Sequence, residues 1–351
     1  MRIGFVGKGV DGNSNQGTWR HAAMVFDSVC DFDDVEIVPV LNARAKGFFS
    51  RVWYSLFQMP FRLWDKSADV WFCADAELSV WPILFSKRPI VTMIFDVIPL
   101  SYKKDTVLPA RLWFWFVCQF ARRSDLIVTM SEHSKSELMK YLHLPSEKII
   151  VTGSYVDCNI FKPSGKPFKD VSVFGYVGGF RQRKNVELII RAIPFIKKSL
   201  GDKFVVRIAG KGNTDELQFL ANQLNVAKYI EWVGFVPDIK LPEFYNSLDV
   251  FLFPSLYEGF GLPPLEALAC GVQTVCLDNS SLREFPVVWH SVNVPERFAS
   301  AAVSCLSADS VRASASLVSY AARNDLQLCG PRYRAILEQA LAMKKGKSHL
   351  M

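Results

Sequence analysis

Short apolar runs alternate with segments of helical periodicity along most of the chain. Residues 35–40, 69–74 and 250–253 are examples of these runs, and each is bounded by polar or turn-forming residues. Continuous apolar runs of this length are typical of strands buried on both faces of a parallel sheet. The helical segments between them fit the crossovers that join parallel strands. The pattern therefore predicts an α/β fold.

The alternation stops at one place and then restarts. Residues 162–167 contain two prolines and a glycine without an apolar pattern, which favours a linker, and a new strand is predicted at 171–177. For 351 residues, two domains of ordinary size are favoured over one large domain. We expect domains at residues 1–165 and 166–332, followed by a C-terminal helix and tail at 333–351.

One loop between two predicted strands carries the strongest candidate chemistry. It lies in the segment 258–271, EGFGLPPLEALACG, whose prolines suit the first turn of a helix and whose last glycine suits its end. The amides of Gly259 and Gly261 would lie uncovered at the positive end of that helix, where phosphate can bind. Glu258 and Glu266 flank this site, which favours hydroxyl groups of a sugar and a ribose as their ligands. The alternative is an ordinary turn with two solvated carboxylates.

A second loop suits the same anion. The predicted strand at 171–177 is followed by residues 178–185, GGFRQRKN, which open a helix. Guanidinium and ammonium donors beside free amides suit a diphosphate, although a solvated basic turn is the alternative. The glycine-rich residues 7–26 have a similar strand–loop–helix shape but match neither the P-loop nor the dinucleotide fingerprint, so a plain turn remains open there.

Aromatic and basic residues are interleaved in two segments of the first half, at 45–64 and 110–123. This pattern fits helices that lie in a membrane interface, with rings at the acyl boundary and cations on headgroups. It fits equally a helix whose aromatic face packs in the core. The longest apolar run is too short for a membrane span.

Composition excludes several classes of protein. The formal net charge of +7 is spread along the chain, so nucleic acid is not expected as a partner. The eight cysteines form no Cys-x-x-Cys pair, which indicates reduced thiols in a cytoplasmic protein. No cluster of carboxylates and histidines indicates a metal site, and no signal peptide is expected.

The motifs together resemble a known family. The stretch FPSLYEGFGLPPLEALACG, residues 253–271, resembles the Glu-x7-Glu signature of retaining glycosyltransferases of family 4, in particular polysaccharide and lipopolysaccharide mannosyltransferases. The resemblance is densest over residues 171–284 and thinner over 90–157. It implies the GT-B fold, with two Rossmann-like domains facing across a cleft. The N-terminal domain would bind the acceptor, the C-terminal domain would bind the nucleotide sugar, and the last helix would brace the N-terminal domain.

The resemblance also implies roles for individual residues. Glu258 would contact the donor sugar and Glu266 the ribose, while Lys184 and Arg183 would bind the donor phosphates. Many members carry an arginine where Gly179 stands, so the second cation must come from Arg181 or Arg183. The remaining donor contacts are expected at Gly17, Gly179, Phe235, Val236, Gly259, Phe260, Gly261 and Leu262.

One departure from the family lies on the acceptor side. The family's His-Asp-x-x-Pro segment reads Phe95-Asp96-Val97-Ile98-Pro99 here, so the imidazole is replaced by a phenyl ring. Asp96 thus becomes the main polar candidate for catalysis, and a helix-capping aspartate is its alternative.

The resulting expectation is transfer of a hexose, such as mannose, to a saccharide acceptor, oligosaccharide or lipid-linked, in cell-surface polysaccharide synthesis. The donor would be a nucleotide sugar, with a GDP-sugar favoured over a UDP-sugar, and no other cofactor or metal is expected. The enzyme would act in the cytoplasm, with a possible place on the inner face of the cytoplasmic membrane. The alternatives are a sugar-nucleotide epimerase of similar architecture and a catalytically silent partner that binds nucleotide or membrane.

Overall fold

The computed structural model describes residues 1–8, 17–42, 53, 57–165, 170–286, 288–306 and 310–348. The chain forms two compact units, one of Met1–Tyr155 with Leu326–Met351 and the other of Val156–Asp325. The boundary expected at residue 165 therefore lies inside the second unit, and the one expected at 332 lies inside the first.

The first unit is built on a parallel sheet of six described strands in the order β2-β1-β3-β4-β5-β6. These strands are β1 (Arg2–Lys8), β2 (Glu36–Asn42), β3 (Val70–Cys73), β4 (Ile90–Met93), β5 (Leu126–Thr129) and β6 (Ile149–Val151). The central strands β3, β4 and β5 are buried at every position, because helices cover both faces of a parallel sheet.

Helices connect these strands, as the alternation of the sequence predicts. The first six described α-helices are α1 (Gly17–Cys30), α2 (Met59–Leu63), α3 (Val80–Leu84), α4 (Ile98–Ser101), α5 (Leu108–Ala121) and α6 (Glu132–Leu142). Proline occupies the first turn of α2, α4 and α5, where the missing N–H costs no helical hydrogen bond.

The second unit has a parallel sheet of its own, with the described strands in the order β12-β11-β10-β7-β8-β9. These strands are β7 (Ser172–Val177), β8 (Phe204–Ala209), β9 (Ile230–Gly234), β10 (Val250–Phe253), β11 (Gln273–Leu277) and β12 (Trp289–Ser291). The chain proceeds from β7 towards β9 on one side and from β10 towards β12 on the other. The direction of winding thus reverses between β7 and β10, and ligands of such sheets bind at the carboxyl ends of the strands at this reversal.

Six described α-helices cover this second sheet: α7 (Val186–Leu200), α8 (Asp215–Gln223), α9 (Leu241–Asn246), α10 (Leu262–Ala269), α11 (Pro295–Ser304) and α12 (Ser310–Ala322). Helix α7 buries a nearly continuous apolar face against the sheet, from Val186 to Ile196. That packing fixes the start of α7, and with it the loop that precedes the helix.

The last described helix, α13 (Cys329–Ser348), packs within the first unit. Its Tyr333 is fully buried, and the ring lies edge-on to Phe72 of β3. The hydroxyl of Tyr333 lies 3.1 Å from Nε2 of the buried His21 on α1. A segment distant in sequence therefore contributes to the core of the N-terminal unit.

Candidate active site

Two loops meet at the reversal of the second sheet. The cation loop, residues 178–185, follows β7, and the acidic loop, residues 254–261, follows β10. The carbonyl of Arg183 accepts hydrogen bonds from the amide of Leu256 at 2.7 Å and from the hydroxyl of Ser255 at 3.2 Å. These bonds hold the two loops in one fixed relation.

Glu258 is the centre of the contact between the loops. Its Oε1 lies 2.5 Å from Nζ of Lys184, and its Oε2 accepts a hydrogen bond from Nη1 of Arg183 at 3.1 Å. The hydroxyl of Ser255 donates a third bond to Oε1 at 2.6 Å. Glu258 is only 7% exposed, so this carboxylate is not the solvated group of the alternative interpretation.

The charges of this cluster do not cancel. Burial would raise the pKa of Glu258, but the positive charges of Lys184 and Arg183 outweigh it and hold that pKa below its usual value. Burial lowers the pKa of Lys184, and the attraction of Glu258 opposes this effect. One ionised carboxylate thus faces two cationic side chains, and the excess positive charge favours a further anion.

The acidic loop ends at the start of α10. Gly261 has a φ of 122°, a backbone conformation that favours glycine, and an added Cβ there would lie 3.0 Å from Leu282. Ser281 donates hydrogen bonds from its hydroxyl to the carbonyls of Glu258 at 3.0 Å and Phe260 at 2.7 Å. These bonds hold the acidic loop through its carbonyl groups. The loop lies at the positive end of the α10 dipole.

Glu266, the second acidic residue of the motif, lies within α10 and is 2% exposed. Its Oε2 accepts a hydrogen bond from the hydroxyl of Tyr245 at 2.8 Å. Neither Tyr245 nor Ser255 was predicted as a functional residue. For Ser255 the sequence did offer a signal, because this residue belongs to the matched stretch FPSLYEGFG. Tyr245 lies outside that stretch.

The cation loop shows which arginine accompanies Lys184. Arg181 is exposed, whereas the side chain of Arg183 is 14% exposed and paired with Glu258. Gly179 accepts a hydrogen bond from the hydroxyl of Tyr176 at 2.7 Å, and an added Cβ at Gly179 would meet no atom within 4 Å. Arg183 is thus the arginine that this structure places beside Lys184.

The residues expected near the base follow β9. Phe235 is 47% exposed, and Val236 lines a groove of about 390 Å³ together with Lys240 and Phe244. Phe235 and Val236 belong to the same unit as the two loops, but no described contact joins them to Glu258. Their role at the base remains a prediction.

The candidates Gly17 and Asp96, together with Phe95, belong to the first unit. Gly17 is the first residue of α1, while residues 9–16 of the glycine-rich loop lie outside the described residues. Asp96 accepts a hydrogen bond at Oδ1 from the amide of Ile98 at 2.9 Å, a turn contact two residues along the chain, whereas Val97 is the N-cap residue of α4. The role of Asp96 in catalysis remains a prediction. Phe95 is 8% exposed and packs edge-on to His21, with ring centroids 5.7 Å apart. This position therefore belongs to the core.

Other features of the described residues bear on the sequence expectations. The eight cysteines are free thiols. Among the described residues, no three His, Cys, Asp or Glu side chains are grouped so that they could hold a metal ion. Within the same residues, no helix has both the length and the apolar character needed to cross a bilayer.

Comparison of the fold with solved structures defines its class. Sucrose-phosphate synthase from Thermosynechococcus elongatus superimposes with a TM-score of 0.77 at 12% sequence identity, over 97% of this chain and 99% of that one. At this identity the likeness concerns the fold alone. The protein has the two-domain α/β architecture of the GT-B glycosyltransferases.

Comparison of the sequence defines the family of the second unit. Residues 159–293 match the family described as Glycosyl transferases group 1, so the chain contains a domain of that family. The O-antigen chain mannosyltransferase B of Escherichia coli is 30% identical over 174 residues, which are 46% of this chain and 45% of that protein. The O-antigen chain mannosyltransferase RfbU of Salmonella typhimurium is 23% identical over 76% of this chain and 80% of its own length. The chain thus spans less than half of the first of these relatives.

Proposed function

We propose that the protein is a retaining glycosyltransferase that moves a hexose, with mannose favoured, from a nucleoside diphosphate to a saccharide hydroxyl. The observation that carries this proposal is the cluster of Arg183, Lys184 and Glu258 at the reversal of the second sheet, beside the start of α10. The two mannosyltransferase relatives support the choice of sugar. A GDP-sugar is the favoured donor and a UDP-sugar the alternative.

The proposed chemistry needs charge stabilisation more than a protein nucleophile. The bond between the anomeric carbon and the diphosphate breaks while the acceptor oxygen bonds to that carbon on the same face. The departing diphosphate takes the proton of the acceptor hydroxyl. Arg183 and Lys184 stabilise the negative charge that grows on the diphosphate, and fixed groups of this kind are usually the largest contribution to catalysis. Glu258 orients the sugar by accepting hydrogen bonds from its hydroxyl groups.

The test is transfer of radiolabelled hexose from GDP-mannose, or from UDP-hexoses, to a lipid extract by the purified protein. Lys184→Ala should lower the rate by on the order of a hundredfold or more, because it removes a charged donor to the leaving group. Lys198→Ala is the matched control, since Lys198 lies on the exposed side of α7. An isomerised donor without transfer would favour the epimerase, and binding without either reaction would favour the silent partner.

We further propose that the acceptor is carried by a lipid in cell-surface polysaccharide synthesis, at the inner face of the cytoplasmic membrane. Support comes from the α5 face, defined as Leu108, Leu112, Trp115 and Phe116. Each of these residues is more than 40% exposed, whereas Val117 and Cys118, on the other side of the helix, are buried. The α5 face is therefore exposed, whereas Trp113, Phe114 and Phe120 of the same helix pack against the core.

The charges around this surface suit an anionic bilayer. Lys103 and Lys104 are exposed just before α5, and Arg123 is exposed just after it. Cations beside exposed aromatic rings are the arrangement that binds anionic headgroups. A second exposed aromatic set in the same unit comprises Trp53, Phe57, Phe61 and Trp64.

Vesicle flotation tests this part of the proposal. The protein should float with vesicles containing phosphatidylglycerol, and less so with phosphatidylcholine alone or in high salt. Leu112→Ser with Trp115→Ser should reduce flotation, whereas Phe219→Ser should not, because Phe219 is an equally exposed ring on α8 of the other unit. Flotation that ignores both lipid charge and the double substitution would refute membrane contact through the α5 face.

A further inference from the structure

A buried tyrosine forms a hydrogen bond with the second acidic residue of the motif. Tyr245 lies on α9 and Glu266 on α10, and both side chains are at most 2% exposed. The tyrosine hydroxyl donates to Oε2 of Glu266 at 2.8 Å. A polar contact buried to this degree is costly to form without satisfied partners, so its geometry is strongly determined.

Aromatic packing fixes where this hydroxyl points. The ring of Tyr245 lies 5.3 Å from that of Phe251 on β10, nearly edge to face, and 6.2 Å from that of Phe161. The ring is fully buried, so its two side-chain torsions have little freedom. Phenylalanine would fill the same volume and lack only the hydroxyl.

The hydroxyl in turn fixes the carboxyl group. Rotation about the last torsion of a glutamate side chain is otherwise broad, and a donor on one oxygen selects one orientation. The position of Oε1 is then set as well. A carboxyl group with two oxygens offers about four acceptor sites, so one bond from tyrosine is compatible with bonds from ligand hydroxyls.

We propose that Tyr245 is a positioning residue that orients Glu266 towards the vicinal hydroxyls of the donor's ribose. Tyr245 thereby sets the preference of the site for ribonucleotides over their dideoxy analogues. This inference rests on the proposed function, because it requires a nucleoside diphosphate to bind beside α10. It adds to the family motif a residue on a different helix.

The experiment compares the affinities of GDP and 2′,3′-dideoxy-GDP, with UDP and its dideoxy analogue measured in parallel. Hydrogen bonds to a carboxylate are strong enough that the wild-type protein should bind the ribonucleotide roughly ten- to hundredfold more tightly than the dideoxynucleotide. Tyr245→Phe should weaken binding of the ribonucleotide and leave binding of the dideoxynucleotide nearly unchanged, so that the preference falls at least about fivefold. Glu266→Gln should lower the same preference, and the double variant should show no further loss.

The matched control is Tyr229→Phe. Tyr229 is also buried, and its hydroxyl donates to a carboxylate, that of Asp202, before the start of β9 and thus away from the carboxyl ends of the strands. This variant should keep the wild-type preference. A preference that Tyr245→Phe leaves unchanged would overturn the inference while the proposed function stands. If neither GDP nor UDP binds the wild-type protein, the inference and the proposed function are both refuted.

Discussion

Removal of the negative charge at Glu258 is the most direct test of the charge arrangement. Glu258→Gln keeps the shape of the side chain but leaves Lys184 and Arg183 facing each other without a carboxylate. Both cationic side chains are about 85% buried, with exposures of 15% and 14%. Breaking a buried ion pair on one side costs about 3–5 kcal/mol, and the residual exposure places this site near the lower limit.

We therefore expect Glu258→Gln to lower the free energy of unfolding by about 3 kcal/mol, which corresponds to a decrease of roughly 6–12 °C in melting temperature for a domain of this size. Inorganic pyrophosphate should reverse much of this loss, because it supplies the missing negative charge. The thermal shift at a fixed pyrophosphate concentration should then be larger in the variant than in the wild type.

The assay is differential scanning fluorimetry with and without pyrophosphate, together with chemical denaturation. Glu231→Gln is the control, because Glu231 pairs with Arg207 at 2.8 Å but is 50% exposed, and exposed pairs contribute at most about 1 kcal/mol. A variant as stable as the wild type, with an unchanged response to pyrophosphate, would refute the electrostatic reasoning.

Two further predictions concern other parts of the molecule. Burial lowers the pKa of His21 from 6.5 to about 3, so its contribution to stability is complete above pH 6.5 and is lost as the pH falls towards 3. In urea unfolding, the free energy of unfolding should fall by about 2–3 kcal/mol between pH 6 and pH 4, and His21→Gln should reduce this pH dependence. An equal pH dependence in the variant would contradict the assignment. Gly210→Ala should destabilise the cation loop, because the added Cβ would lie 1.9 Å from the carbonyl oxygen of Gly178, whereas Gly165→Ala meets no atom within 4 Å and should be neutral. Comparable melting temperatures for the two alanine variants would show that the loop can move aside.

The strands, the cation loop and the acidic loop were predictable because their signals are local. Apolar runs such as 250–253 form buried strands, and the glycines and prolines of 258–271 indicate a turn followed by the start of a helix. Both loops suit a diphosphate, and the resemblance to the family assigns Lys184 and Glu258 to one donor site. Their direct pairing depends on β7 and β10 being neighbours, and the strand order is not visible in the sequence.

Long-range contacts account for what the sequence did not reveal. The linker composition at 162–167 suggested a boundary there, but Val156 already forms a parallel bridge with Asp325, so the second unit begins earlier. Tyr245 carries no motif, and only the packing of α9 beside α10 identifies it as the partner of Glu266. Pairings of this kind arise from the tertiary fold and have no local pattern.

The bridge between Val156 and Asp325 has a consequence for engineering. The amide of Val156 also donates to the carbonyl of Asn324 at 3.0 Å, so the chain enters and leaves the second unit at a single point. A segment whose ends adjoin can be excised, closed with a short connector and produced alone, or transplanted between scaffolds as a cassette. Residues 156–325 are thus a natural unit for isotope labelling and for chimaeras that exchange the second unit between related chains.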